Sequence, residues 1–201
     1  MNKADWRKKA QSLRDALTEE ERAKKSAHIM ASLLVSDAYA AAGAVACFVS
    51  FGSEADTGQI LRETLLNGKA LFCPRVIKHN PPVMECFRVY DLSQLQPGYA
   101  GILEPDKQLC KETLTDYVRE RLQDVSVLTV MPGVAFSKDR DRIGYGGGCY
   151  DAYLHRLQTS GCRKTITAAV AFDCQVFEKL TDMEDHDIRP DMIFTETGHY
   201  R

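Results

Sequence analysis

Arg142-Ile143-Gly144-Tyr145-Gly146-Gly147-Gly148-Cys149-Tyr150-Asp151 is the stretch on which the fold turns. Before it, the apolar run Val125 to Val130 reads as a buried strand leading into Met131-Pro132-Gly133. After it, Asp151-Ala152-Tyr153-Leu154-His155-Arg156-Leu157 has the spacing of a helix. Strand, glycine-rich loop and helix in that order describe an open α/β unit, in which ligands bind outside the carboxyl ends of the strands. Four glycines within residues 144–148 leave the backbone bare. Glycine accepts positive φ without a Cβ clash and lets successive N–H groups converge, and converging donors at a helix start bind anions. A surface turn could share that composition, but the flanking residues favour a phosphate cradle. Arg142 can pair with phosphate oxygens, Asp151 offers a hard oxygen to Mg²⁺, and Tyr150 can stack on or hydrogen-bond a ligand. Arg142 and Tyr150 are the candidate catalytic residues. Neither GxxxxGK[ST] nor a strand-to-helix GxGxxG is present.

The chain around this loop is 201 residues, a length that suits one well-buried domain spanning 1–201. With 27% charged residues, a net charge of -2 and no block of like charge, it shows no basic groove for nucleic acid and no membrane patch. Seven cysteines without CxxC or Cys/His spacing read as thiols in a reducing cytosol. The expectation is a cytoplasmic monomer.

Along the chain, Lys3 to Leu17 is helical with Trp6, Ala10, Leu13 and Leu17 on one face. Thr18 and Glu21 form a capping box for a second helix with Ala23, Ala27, Met30 and Leu34 inward. Two helices thus precede any strand. The basic side of the first, with Lys3, Arg7, Lys8 and Arg14, suits a solvated face. Lys3 and Arg7 are also four residues apart, placed to clamp one polyphosphate. Ala44 to Phe51 reads as a strand, and the loop after it carries Glu54 at the ligand edge of a parallel sheet. Further strands are expected at 69–74, 84–89, 165–172 and 192–195, with a turn at 78–82 and a helix over 113–122. Residues 91–111 form a long ordered connection. The acidic segment Met183 to Asp187 could bring a second carboxylate, Asp187, to the cation held by Asp151.

Taken together, Lys3-x-x-x-Arg7, Val49-Ser-Phe-Gly-Ser-Glu54-Ala-Asp-Thr57, Gly101-Ile-Leu-Glu-Pro105, Met131-Pro-Gly-Val-Ala-Phe136, the glycine-rich loop, Ala171-Phe172, His186-Asp187 and Thr195-Glu196 resemble the 5-formyltetrahydrofolate cyclo-ligase family, nearly end to end. The resemblance implies a three-layer α/β sandwich with a mainly parallel, Rossmann-like central sheet. It also implies an enzyme that uses ATP and Mg²⁺ to close 5-formyltetrahydrofolate to 5,10-methenyltetrahydrofolate. By the same resemblance ATP would meet Lys3, Arg7, Arg142, Ile143, Gly144, Tyr145, Gly146, Gly147, Gly148, Cys149 and Tyr150. Val49 and Glu54 would meet folate, and Asp151 and Asp187 would hold Mg²⁺. Cys149-Tyr150 replaces the family's usual Tyr-Tyr, and Tyr145 and Gly147 stand where some members carry basic residues. A binding-only homologue and a sugar-phosphate enzyme of similar architecture are the competing readings.

Overall fold

The computed structural model describes residues 1–80, 82–121, 126–159, 165–184 and 187–201. Helices α1 (Lys3–Asp15), α2 (Glu19–Leu34) and a short α3 (Asp37–Ala41) precede the first strand, one helix more than the spacing predicts. Capping boxes open the first two, Asn2 with Asp5 and Thr18 with Glu21. In each, two otherwise orphaned N–H groups find side-chain acceptors. The buried faces are rotated from those expected. In α1 the inward line is Trp6, Ala10 and Arg14, whereas Leu13 is 41% exposed. In α2 it is Ser26, Ile29, Met30 and Leu33, leaving Ala23 and Ala27 outside.

β1 (Ala44–Cys47) stops short of Phe51. Thr57, wholly buried, donates its hydroxyl to Phe48 O (2.9 Å) and accepts from Ser50 N (3.0 Å), which turns the chain out of the sheet. After α4 (Gly58–Leu66), β2 (Ala70–His79) and β3 (Pro82–Val89) form an antiparallel hairpin longer than predicted. Pro81, in the expected turn, lies outside the described residues. The long connection folds into an antiparallel ribbon of β4 (Leu95–Pro97) and β5 (Leu103–Pro105). Its order comes from Arg75, buried against the Phe87 ring at 3.6 Å. One guanidinium nitrogen donates to Pro105 O, Asp106 O and Cys110 O at 3.0, 3.1 and 3.2 Å. The remaining elements are α5 (Leu114–Glu120), β6 (Val127–Met131), β7 (Ala135–Ser137), β8 (Arg142–Ile143), α6 (Cys149–Thr159), β9 (Thr165–Val170), β10 (Val176–Phe177), β11 (Met192–Phe194) and β12 (His199–Tyr200). Val125, the expected start of β6, is not among the described residues.

The main sheet runs β12-β11-β9-β6-β1-β2-β3, with five parallel strands between antiparallel edges. Alternate strand residues feed two cores, as the period of a strand requires. Val45, Cys47, Leu128 and Val130 face α2, α3 and α4. Ala44, Ala46, Val127 and Met131 face α5 and α6. The result is the expected three-layer arrangement. A smaller sheet, β10-β7-β8, packs on Trp6 and Ala10 of α1 through Val134, Ala135 and Ile143. Its three short strands were not legible as strands in the sequence. Among the described residues no helix is long and apolar enough to cross a membrane.

The chain leaves β1 toward β2 on one side and returns to β6 on the other. That reversal opens a crevice above the carboxyl ends of β1 and β6, the place where doubly wound sheets bind ligands. The loops at 48–57 and 132–149 and the helix α1 surround it.

Candidate active site

Two stretches of loop shape the crevice. Gly133 has its neighbour so close that a Cβ there would lie 2.2 Å from Phe136 Cζ, so only glycine allows this turn over the buried ring. Further on, Gly146 and Gly148 take φ of 98° and 62°, a left-handed backbone open to glycine at little cost. Residues 145–148 are exposed, and among the described residues their N–H groups meet no protein acceptor. The loop therefore presents bare donors just ahead of α6.

Arg142, at the start of β8, is buried at 4% exposure. Its Nη2 donates to Asp151 Oδ1 at 2.7 Å and its Nη1 to Pro132 O at 3.4 Å, while Nε is buried with no partner among the described residues. The same Asp151 oxygen accepts Ile188 N at 3.0 Å. That bond draws Asp187, one residue earlier, to the Asp151 side of the loop. Asp187 is met by Lys3 Nζ at 2.7 Å and by Glu184 N at 2.7 Å. Lys3 also reaches Glu184 Oε2 at 2.6 Å. Burial draws the Lys3 ammonium down, but its hydrogen bonds to Asp187 and Glu184, with their negative charge, outweigh it and leave the pKa above the usual lysine value. A cavity of 380 Å³ opens beside these groups, lined by Asp141, Met183, Glu184, Asp187 and Arg189. Asp185 and His186, the rest of the acidic segment, lie outside the described residues.

Arg7 stands one turn from Lys3 and donates Nε to Gly144 O at 2.7 Å, with its guanidinium beside Gly146. The basic pair thus straddles the glycine loop. Ile143 is different: its side chain is sealed in the small core, which leaves only its backbone for a ligand. Tyr150 is half-buried between the two main cores, and burial pushes its hydroxyl pKa well up. Cys149 lies near Pro82 O and Gly147 O, and burial raises its thiol too, so it stays protonated near neutral pH.

On the far side of the crevice Glu54 accepts Phe51 N at 2.9 Å with one oxygen and the Tyr145 hydroxyl at 2.5 Å with the other. Burial raises its carboxyl above the ordinary glutamate range, against the pull of Tyr145, Phe51 N and Arg14. Val49, half-buried, packs on the core beside it. The acid pair and the glutamate are thus brought to opposite ends of one loop. Three residues at this site were not singled out from the sequence. Gln175 is buried, and its Nε2 donates to Gly133 O (3.3 Å) and Val134 O (2.9 Å), fixing the first turn of the loop. Ser53 accepts from Arg14 Nε at 2.9 Å. Arg14, expected on a solvated face, is 6% exposed. The i, i+4, i+8 line of Trp6, Ala10 and Arg14 agrees with that placement but does not by itself choose Arg14 over Leu13.

Among the described residues no cluster of three or more His, Cys, Asp or Glu could hold a metal. Asp151 and Asp187 nonetheless suit Mg²⁺, which takes one or two protein carboxylates and fills its shell with phosphate oxygens and water. Arg142 and Lys3 supply the neutralising charge in their place here.

A model of the 5-formyltetrahydrofolate cyclo-ligase family matches residues 1–196. The chain is 27% identical to the mouse (Mus musculus) protein named 5-formyltetrahydrofolate cyclo-ligase, over 90% of this chain and 87% of that one. It is 29% identical to the Escherichia coli K12 protein of the same name, over 87% and 90%. Among solved structures, the Aquifex aeolicus 5,10-methenyltetrahydrofolate synthetase matches with a TM-score of 0.79 and 30% identity. That match covers 100% of this chain and 93% of the other. A Mycoplasma pneumoniae 5,10-methenyltetrahydrofolate synthetase shares the fold at a TM-score of 0.69 and 20% identity, over 98% and 99% of the two chains.

Proposed function

Because the chain belongs to the 5-formyltetrahydrofolate cyclo-ligase family, we propose that it converts 5-formyltetrahydrofolate to 5,10-methenyltetrahydrofolate, with ATP split to ADP and phosphate. The observation that carries the ATP half is the placement of Lys3, Arg7 and Arg142 around a loop with bare N–H groups, beside two carboxylates. A triphosphate laid there would offer oxygens to all three cations. Asp151 and Asp187 would then be released to Mg²⁺, whose charge would screen the phosphates.

The chemistry explains why a nucleotide is needed. An N5-formyl group is an amide, and its oxygen leaves poorly. Attack of that oxygen on the γ-phosphorus makes the O–P bond as the bond to ADP breaks. N10 then adds to the activated carbon and loses its proton, and the C–O bond breaks with departure of phosphate. Phosphoryl transfer of this kind asks the protein for positioning and charge stabilisation, which the loop donors and Arg142 supply. Glu54 would accept hydrogen bonds from the pterin amino and ring N–H groups. Both of its oxygens already hold one donor, and each keeps a lone pair for a second.

The test is to follow methenyltetrahydrofolate absorbance with purified protein, 5-formyltetrahydrofolate, ATP and Mg²⁺, omitting each in turn. A rise that requires all three is the expected outcome. Folded protein that binds folate and gives no rise would overturn the enzyme reading in favour of a binding-only homologue.

A further inference from the structure

Arg14 ends α1 as a buried cation on the crevice wall, which it shares with Phe48, Glu54, Ala55, Pro132, Gly133 and Gln175. An arginine almost out of water needs a reason, since burying its charge is costly unless it is matched. Its planar fork spans two partners on different segments. Nε donates to Ser53 Oγ at 2.9 Å, and Nη1 donates to the Tyr145 hydroxyl at 3.0 Å. Tyr145 passes its own proton to Glu54 Oε1 at 2.5 Å. Ser53 in turn donates to Asp15, whose carboxylate is 3.9 Å from Arg14 Nε. Arg14 thereby joins α1, the loop after β1 and the glycine loop at one carboxylate, without touching it directly.

We propose that Arg14 is a positioning residue for the pterin end of the substrate, acting through Tyr145 and Ser53 to hold the Glu54 carboxylate aimed into the crevice. This rests on Glu54 being the folate-binding carboxylate. A tyrosine hydroxyl serves the relay because it accepts from the guanidinium and donates to the carboxylate at once. The charged and titratable groups around Glu54 are Arg14 and Asp15 of α1, Tyr145 of the loop, Tyr150 of α6 and Asp56 of its own loop. Burial raises the Glu54 carboxyl, while Tyr145 and Arg14 both hold it down. Removing either pushes the carboxyl higher, so the ionised form that accepts the pterin donors is lost at a higher pH.

The experiment compares Arg14→Met, Tyr145→Phe, their double variant and Glu54→Gln, with KM for 5-formyltetrahydrofolate and for ATP, the pH profile of kcat/KM for folate, and thermal unfolding. Both single variants are expected to raise the folate KM about tenfold, the scale of one lost hydrogen bond to a charged group. In Arg14→Met the ATP KM should stay within about twofold, and in both single variants the acid limb of the profile should move to higher pH. The double variant should lose less than the product of the singles, because the two residues act in series. If Arg14→Met does not fold, the folate KM and acid limb of Tyr145→Phe decide the question. An unchanged folate KM in the folded variants, or equal rises for folate and ATP in Arg14→Met, overturns the proposal. Glu54→Gln separates the two readings. If it leaves folate KM unaltered, Glu54 is not the folate carboxylate and the proposal falls with that reading. If it raises folate KM while Arg14→Met and Tyr145→Phe do not, only the role of Arg14 falls.

Discussion

Arg142 is structural in the fold and, on the proposed function, chemical as well. Its guanidinium is sealed among Pro132 O and Asp151, with one buried N–H unmatched among the described residues. Leaving a buried donor unpaired is unfavourable, and a phosphate oxygen would supply what is missing. Asp151 is nearly a quarter exposed, so water can replace part of the pair, and Arg142→Ala should cost about 1–3 kcal/mol in stability. Its effect on rate should be larger, a fall of about 100-fold in kcat, while folate affinity changes little. Single-turnover rates beside equilibrium folate binding would measure this, and equal losses in both would count against a transition-state role. The loop's residue types suggest the proposed chemistry already in the sequence, because arginine, bare glycines and an aspartate form a local pattern. Arg14 was not announced. Its burial depends on where α1 meets the loop at Ser53, a contact 39 residues away in the chain.

At the scale of elements, α1 is a separate arm. It packs on the small sheet through Trp6 and Ala10. The Trp6 ring lies tilted by 50° against Phe177 at a centroid distance of 4.9 Å, and its indole N–H donates to Thr181 Oγ1 at 3.1 Å. This anchor lies between Lys3 and Arg7 in the chain, so the placement of both cations and of the Glu54 relay depends on it. Trp6→Ala should lower unfolding free energy by about 3–5 kcal/mol. It should also raise ATP KM, because Lys3 and Arg7 lose their fixed spacing across the loop. Denaturant unfolding and steady-state kinetics would show both. A destabilised variant with unchanged ATP KM would mean that Lys3 and Arg7 do not work as a pair held by the helix. The existence of α1 was legible from its apolar spacing and its position before the capped second helix. Its inward face was not, because Leu13 and Arg14 compete for the same edge and only the packed partner decides between them.

At the scale of the molecule, the carboxylates of the site are held by the chain's own cations, Lys3 on Asp187 and Arg142 on Asp151. Mg²⁺ alone would have to strip both cations from their carboxylates, whereas ATP brings replacement anions for them. Saturating ATP with Mg²⁺, at about 100 times Kd, should therefore stabilise by about 2.7 kcal/mol. That corresponds to a rise in Tm of roughly 5–10 °C for a chain of this size. Mg²⁺ by itself should move Tm far less, and an equal shift from Mg²⁺ alone would sink this account. The three layers and the mainly parallel central sheet were legible through the family resemblance, whereas local pattern was enough to determine the strand–loop–helix α/β class, the first two helices and the glycine loop with its charged neighbours. Those features rest on period, capping and turn chemistry, which act within a few residues. Tertiary structure alone decided that β1 yields to the Thr57 turn, that three short strands build a second small sheet, and that Arg14 is inside. It also decided that the Tyr145 hydroxyl meets Glu54 and Arg14. Each of those outcomes is set by groups far apart in the chain, whose meeting depends on how helices and sheets pack and not on any local preference.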